Sequence, residues 1–332
     1  MNNLQKAKMI FLLGNLTSCL SVFAAPKTPP PPPQPYYYDA DSHDVFLNSD
    51  YMYWKPFVSN GLVWVQVPPA EIPQLPLLDF KWGSGFRAEI GYRGAQSKTT
   101  TYKHAWQVQA SFLTYKSQAP SITGANNPPV VFNYFSNASF DYKRLDLAAA
   151  WPFWLSTNAI FRLLLGVSGV DVKNKNQVTD NNFNIITSNI ESDNWNFSWH
   201  YKAAGLLTGI EASLPLASGF ALFANLTPIF YTGNLKEAAT FVHVVNDNDF
   251  TFSNSNKAVV PKTFLDLRAG LDYKHWLQKA CLVYAFIGYE ITWMFNLDQV
   301  RRELDVNLEH IFTDTPTDIG TQGVTIRLGF EF

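Results

Sequence analysis

The chain has 332 residues, of which 47% are apolar, 15% aromatic and only 16% charged, with a net charge of −2. A soluble domain carries about a quarter charged residues, so a surface that meets water on every side is disfavoured. The absence of a basic run gives no reason to expect a nucleic-acid partner.

Residues 1–24 read as a secretory signal. Lys6 and Lys8 form the basic start, Met9 to Leu13 and Leu16 to Leu20 the apolar middle, and Val22-Phe23-Ala24 the cleavage positions. Residues 25–44 follow as a proline-rich periplasmic linker. Seven of the ten residues from Pro26 to Pro35 are proline, a tract that donates no ladder hydrogen bonds and extends as polyproline II. Cys19 lies in the leader, so Cys281 is the single thiol of a cleaved chain and no internal disulfide forms.

From residue 45 to 332 the chain alternates apolar and polar side chains, the two-residue period of a strand with one dry face. Ten strands are expected, the first at roughly 45–55, where Val45, Leu47, Tyr51 and Tyr53 oppose Asn48, Asp50 and Met52. In the second, at 80–93, Phe86, Ala88 and Ile90 alternate with Arg87, Glu89 and Arg93. The third (104–116), fourth (138–151) and fifth (158–172) repeat the pattern, with Arg144, Asp146 and Arg162 on the polar side. The sixth (195–213) opens with Trp195, Phe197, Trp199 and Tyr201 but then loses parity, which a bulge near Gly205 would explain.

The seventh (219–233) is the most apolar. The eighth (262–276) sets Leu265, Leu267 and Leu271 against Asp266, Arg268, Asp272 and Lys274, and the ninth (282–296) carries Glu290 on its polar side. The tenth runs to the end: Val324, Ile326, Leu328, Phe330 and Phe332 on one face, Thr325, Arg327, Gly329 and Glu331 on the other.

The connections alternate in length. Long ones, rich in Asn, Asp, Pro and Ser, are expected at 56–79, 117–137, 173–194, 234–261 and 297–320. Short ones fall at 94–103, 152–157, 214–218 and 277–281. Long extracellular loops and short periplasmic turns are the asymmetry of a transmembrane antiparallel β-barrel. The count is about ten strands, or twelve if a hairpin at Thr240–Val245 and Phe250–Ser253 enters the wall. Helical spans are a poor alternative, because even the long charge-free run Ala212 to Leu235 is broken by Pro215, Gly219 and Pro228.

In such a barrel Arg87, Glu89, Arg93, Arg144, Asp146, Arg162, Asp266, Arg268, Asp272, Lys274, Glu290, Arg327 and Glu331 point into the lumen. There they either line a passage and set its ion preference or pair across it and hold it shut. About eight strands leave an interior filled by side chains and 16 to 18 an aqueous channel, so ten to twelve implies a narrow or occluded bore. No metal-ligand spacing, nucleophile elbow or phosphate loop occurs. Ser198 and His200 share one side of the sixth strand without forming a nucleophile–base arrangement, and His200 is expected in the lumen or at an interface. The expectation is no enzyme, cofactor or metal.

Several pieces resemble the Legionella-type major outer-membrane protein family, which has relatives in environmental chlamydiae. They are Asp50 to Lys55, Gly85-Phe86-Arg87 with Gly91-Tyr92, Leu145-Asp146-Leu147 with Pro152-Phe153-Trp154, Leu265 to Leu271, and Gly323 to Leu328, in the family's order. The resemblance implies a bacterial outer-membrane barrel, porin-like, for passive diffusion of small hydrophilic solutes and ions. The alternative is a structural or adhesive surface protein that presents long loops on a plugged barrel. A final strand ending in Phe330 and Phe332 resembles the signal read by the barrel-assembly machinery. Outer-membrane lipid, that machinery and a homo-oligomer are the expected partners.

Overall fold

The computed structural model describes residues 44–58, 80–94, 106–125, 130–156, 159–184, 189–216, 219–245, 248–277, 281–306 and 309–332. The signal at 1–24 lies outside the described residues, as does the proline-rich linker except for Asp44.

Among the described residues ten strands make up the fold: β1 (Asp44–Val58), β2 (Gly83–Arg93), β3 (Gln107–Ala125), β4 (Val130–Ser156), β5 (Ala159–Asn184), β6 (Asn189–Pro215), β7 (Phe220–Val245), β8 (Asn248–Leu277), β9 (Cys281–Val306) and β10 (Glu309–Glu331). Each pairs antiparallel with its chain neighbour, and β1 pairs with β10, so the sheet closes into a barrel. The closing ladder runs from Phe46↔Glu331 to Val58↔Ile319. Phe332 extends it by exchanging backbone hydrogen bonds of 3.1 and 3.0 Å with Val45. Closure pairs backbone groups that hydrocarbon cannot hydrate.

The outer face of the lower barrel is apolar. Leu145, Leu147, Leu163, Leu165, Val167, Leu206, Ile287 and Leu328 are exposed, while their alternates Arg144, Asp146, Ser168 and Glu290 are buried. Aromatic side chains flank this band. Trp106, Trp151, Phe220 and Tyr273 lie toward the short-turn rim, and Tyr53 stacks on Trp82 at 5.2 Å on the other side. Rings prefer these boundaries because one edge is dry and the other wet. At the short-turn rim Gly219 takes a φ of +87° between β6 and β7, where Lys274 N–H donates to its carbonyl at 2.9 Å.

The wall is much taller than a bilayer. β5 to β8 have 26, 27, 26 and 30 residues, whereas about 9–11 tilted residues cross the hydrocarbon. This corrects the expected long loops. The stretches at 117–137, 173–194, 234–261 and 297–320 are mostly strand, with β5 and β6 paired up to Asn184↔Asn189 and β7 and β8 up to Val245↔Asn248. The hairpin at Thr240–Val245 and Phe250–Ser253 is the tip of β7 and β8 and adds no strand, so the count is ten. Asn, Asp and Ser there mark a ladder that meets water, not a break in it; strand preference depends on what each face touches. Of the expected loop at 56–79, residues 59–79 lie outside the described residues.

The bulge expected near Gly205 is absent. β5 and β6 keep one register from Ile160↔Ser213 to Asn184↔Asn189. Parity breaks in the sequence because the apolar set changes face. Within the membrane band Leu206 and Ile210 point outward, while above it Trp199 and Tyr201 are buried inside. Outside the bilayer the barrel exterior meets water, so large apolar side chains move to the interior.

Candidate functional site: a layered barrel interior

The inward positions form two layers. The lower is ionic. Asp50 on β1 lies opposite Arg87 on β2 and Arg327 on β10 in the register and accepts from both. Arg87 Nη1 reaches Oδ2 at 3.0 Å, and Arg327 Nε and Nη2 reach Oδ1 and Oδ2 at 2.7 and 3.0 Å. Arg87 also grips Glu290 on β9 with two bonds of 3.1 and 2.8 Å, passing over β1 and β10, and Arg268 on β8 pairs with the same carboxylate. On the opposite wall Arg144 donates to Asp146 at 2.9 Å and crosses from β4 to Asp266 on β8. Asp266 accepts from Thr292 at 2.8 Å, and Ser168 donates to Asp146. Lower still, Arg93 pairs with Glu331, Asn48 donates to Glu89 at 2.7 Å, and Arg162 lies 3.7 Å from Glu211.

Asp50, Arg87, Glu290, Arg144 and Asp146 are all buried. Charges removed from water this far need opposite partners and filled hydrogen-bonding capacity. The bidentate Arg87–Glu290 and Arg327–Asp50 pairs supply both; the first ties β2 to β9, which are not ladder neighbours, and the second braces the closing β1–β10 seam.

The upper layer is apolar and aromatic. Met52 and Trp54 from β1, Tyr115 from β3, Phe140 and Tyr142 from β4, Tyr201 from β6, Ile229 and Tyr231 from β7, Phe264 from β8 and Met294 from β9 are each 0–1% exposed and form one cluster. Ring centroids are 5.7 Å apart for Trp54 and Tyr115, 6.4 Å for Tyr115 and Phe140, and 4.8 Å for Tyr231 and Phe264. Polar tips of this layer are tied down. Trp54 Nε1 donates to Thr325 Oγ1 at 3.1 Å, and Tyr115 Oη to the Trp54 carbonyl at 2.8 Å. Arg87 lies under the Trp54 ring, 5.9 Å from its centroid, and so joins the two layers.

Within the ionic layer a cavity of about 140 Å³ remains, room for a few waters. All thirteen charged residues expected in the lumen border it: Arg87, Glu89, Arg93, Arg144, Asp146, Arg162, Asp266, Arg268, Asp272, Lys274, Glu290, Arg327 and Glu331. Asn48, Gln107, Gln109, Ser111, Thr227 and Tyr284 border it too, uncharged and so not part of a reading based on charge, as does Glu211, which lies where the sixth strand loses parity. Asp50, the centre of the network, sat on the polar face of the first strand and was legible by parity alone. The aromatic layer was not foreseen; its signal was the change of face in the sixth strand.

His200 is not in the lumen. With Trp199 and Tyr201 inward, it faces outward above the apolar band, bonded to Asp171 Oδ1 at 2.8 Å. Phe330 and Phe332 are exposed on the lipid-facing side of β10.

A closed antiparallel barrel with an apolar outer belt, aromatic flanks and a charged interior is an outer-membrane β-barrel. The chain belongs to the family described as Legionella pneumophila major outer membrane protein precursor, which it matches over residues 42–332, and the protein resides in the outer membrane. No curated protein matches it. Among solved structures it is similar to the outer membrane protease OmpT from Escherichia coli, with 8% identity and a TM-score of 0.36 over 87% of this chain and 96% of that one. It is also similar to a Pseudomonas aeruginosa FadL homologue, with 9% identity and a TM-score of 0.31 over 88% and 90% of the two chains. A major outer membrane protein from Thermus thermophilus shares 10% identity at a TM-score of 0.25, over 88% of this chain and 100% of that one. At these scores the likenesses carry no functional argument.

Proposed function

We propose that this protein is a structural surface barrel, closed at rest, whose tall wall carries the rim well clear of the membrane. The observation behind this reading is the aromatic layer above the ion-paired layer. Trp54, Tyr115, Phe140, Tyr231 and Phe264 occupy the lumen with no more than 1% exposure, and Arg144 spans it beneath them. A conduit needs a continuous wet path; a mount needs a rigid, filled cylinder. The wall height supports the second, since 26 to 30 residues per strand exceed what a pore requires. Purified protein in a planar bilayer is expected to give no discrete conductance steps, with folding checked by heat-modifiable gel migration. Steps from folded protein would remove this reading.

A second reading, a porin-like passage for small hydrophilic solutes and ions, is favoured by the polar cavity. Its border of both charge signs is the lining a selective route would need. On this reading the aromatic layer is the gate. We assign β10, with Phe330 and Phe332 facing outward, to engagement of the barrel-assembly machinery.

A further inference from the structure

We propose that the outer face of β4, β5 and β6, just above the apolar band, is a binding site for the phosphorylated headgroup of an outer-leaflet glycolipid, of the lipid A class. The register brings the residues together. Lys143 of β4 lies opposite Asp171 of β5, which lies opposite Lys202 of β6. Lys173 follows two residues from Asp171 on the same face, opposite Asp141 on one side and His200 on the other. Adjacent strands are about 4.8 Å apart and alternate residues about 7 Å. The backbones of three lysines therefore stand within roughly 10 Å of that of Asp171, the spacing at which flexible side chains can share phosphate oxygens.

The charge on this face is one-sided. Among the described outward positions above the band on β3 to β7, lysines at 116, 143, 173, 175, 202 and 236 stand against two acids, Asp141 and Asp171. The acids orient the cations without cancelling them. Asp171 is 2.8 Å from His200 and 3.5 Å from Lys202, and Asp141 is 3.5 Å from Lys116.

Two observations specify a lipid and not a soluble anion. Immediately on the membrane side of the lysines stand Leu145, Val167 and Leu206, 59%, 53% and 60% exposed, a wall for acyl chains. Between wall and lysines the surface dips at Gly169, flanked in the ladder by Leu145 and Ala204. The fold does not need glycine there, because an added Cβ would meet nothing closer than the Leu145 carbonyl at 4.0 Å. A sugar lying over Gly169 puts its phosphates among the lysines and its chains against the leucines. The tall rim is the extracellular one, since short turns belong on the periplasmic side, so this level is that of the outer-leaflet headgroups.

The test is native mass spectrometry of the full-length protein in detergent, titrated with bisphosphorylated lipid A, its dephosphorylated form and phosphatidylglycerol. Bisphosphorylated lipid A is expected to bind tightest. The K143Q/K173Q/K202Q variant is expected to bind it on the order of a hundredfold more weakly. Gly169→Trp, which fills the dip and keeps every charge, is expected to lose binding while retaining heat-modifiable migration; it decides the matter if the triple variant fails to fold. Equal binding of the dephosphorylated lipid, equal binding of phosphatidylglycerol, or unchanged binding by either variant would overturn the proposal.

Discussion

Arg144 of β4 and Asp266 of β8 form an ion pair across the barrel, with β5, β6 and β7 lying between them in the wall. The pair ties together strands that share no ladder, beneath an aromatic layer that excludes water. Removing one partner leaves the other buried and uncompensated, a loss of about 3–5 kcal/mol. Arg144→Met and Asp266→Asn are each expected to destabilise the refolded barrel by that order, read from urea unfolding midpoints in lipid. Arg144→Met combined with Asp146→Leu and Asp266→Leu is expected to recover most of the loss, because all three members of the buried triad are then apolar and ask for no solvation.

The aromatic layer separates the two functional readings. Truncating Tyr231 and Phe264 together removes rings 4.8 Å apart on the inward face of the adjacent strands β7 and β8. Each truncation is expected to cost about 3–5 kcal/mol. A folded double-alanine barrel is expected to conduct in a planar bilayer while the unaltered protein stays silent. If Arg87→Glu is then introduced, the cation-to-anion permeability ratio of the opened barrel is expected to rise.

Much of this was legible from alternation alone. On β2, and from Gly323 to Glu331 on β10, the charges fall only on the polar parity, which named Arg87, Glu89, Arg327 and Glu331, because within a bilayer outside means apolar and inside means polar. The same rule misled on β6. Above the bilayer both sides of the wall are no longer lipid and lumen but water and packed core, so Trp199 and Tyr201 point inward while Leu206 and Ile210 below point out. Strand length was hidden for a related reason. The Asn- and Asp-rich runs Asp180–Asn184 and Asn189–Asn194 have the composition of a loop, yet they are ladder, held by pairing that composition does not record. The cross-barrel partners were beyond reach, since Arg144 and Asp266 are 122 residues apart and only closure brings them together.

The assigned membrane band predicts an asymmetry between outward neighbours on one strand. Leu165 is exposed within the band, whereas Lys173 stands above it on the same face of β5. Leu165→Arg is expected to cost about 2–4 kcal/mol of folding free energy near mid-membrane, and Lys173→Arg about nothing. Refolding into vesicles followed by denaturant titration measures both. A cost for Leu165→Arg below about 0.5 kcal/mol would place the band elsewhere.

The contrast between the outward face of β4 and the packed interior beside β1 has a spectroscopic consequence. Trp151 faces outward at the short-turn edge of the apolar band and is 47% exposed, whereas Trp54 is 1% exposed inside the barrel. Brominated acyl chains quench indole only on contact, so Trp151 is expected to be quenched in brominated vesicles and Trp54 is not. Trp151→Phe is expected to lower the quenched fraction of total fluorescence, and Trp54→Phe to raise it, because the protected population shrinks. Aqueous iodide is expected to reach Trp54 no better than lipid does, since Thr325 holds its Nε1 at 3.1 Å and the Tyr115 ring covers it. Iodide quenching of Trp54 in the folded protein would mean that water penetrates the upper layer, and the closed-barrel reading would give way to the passage.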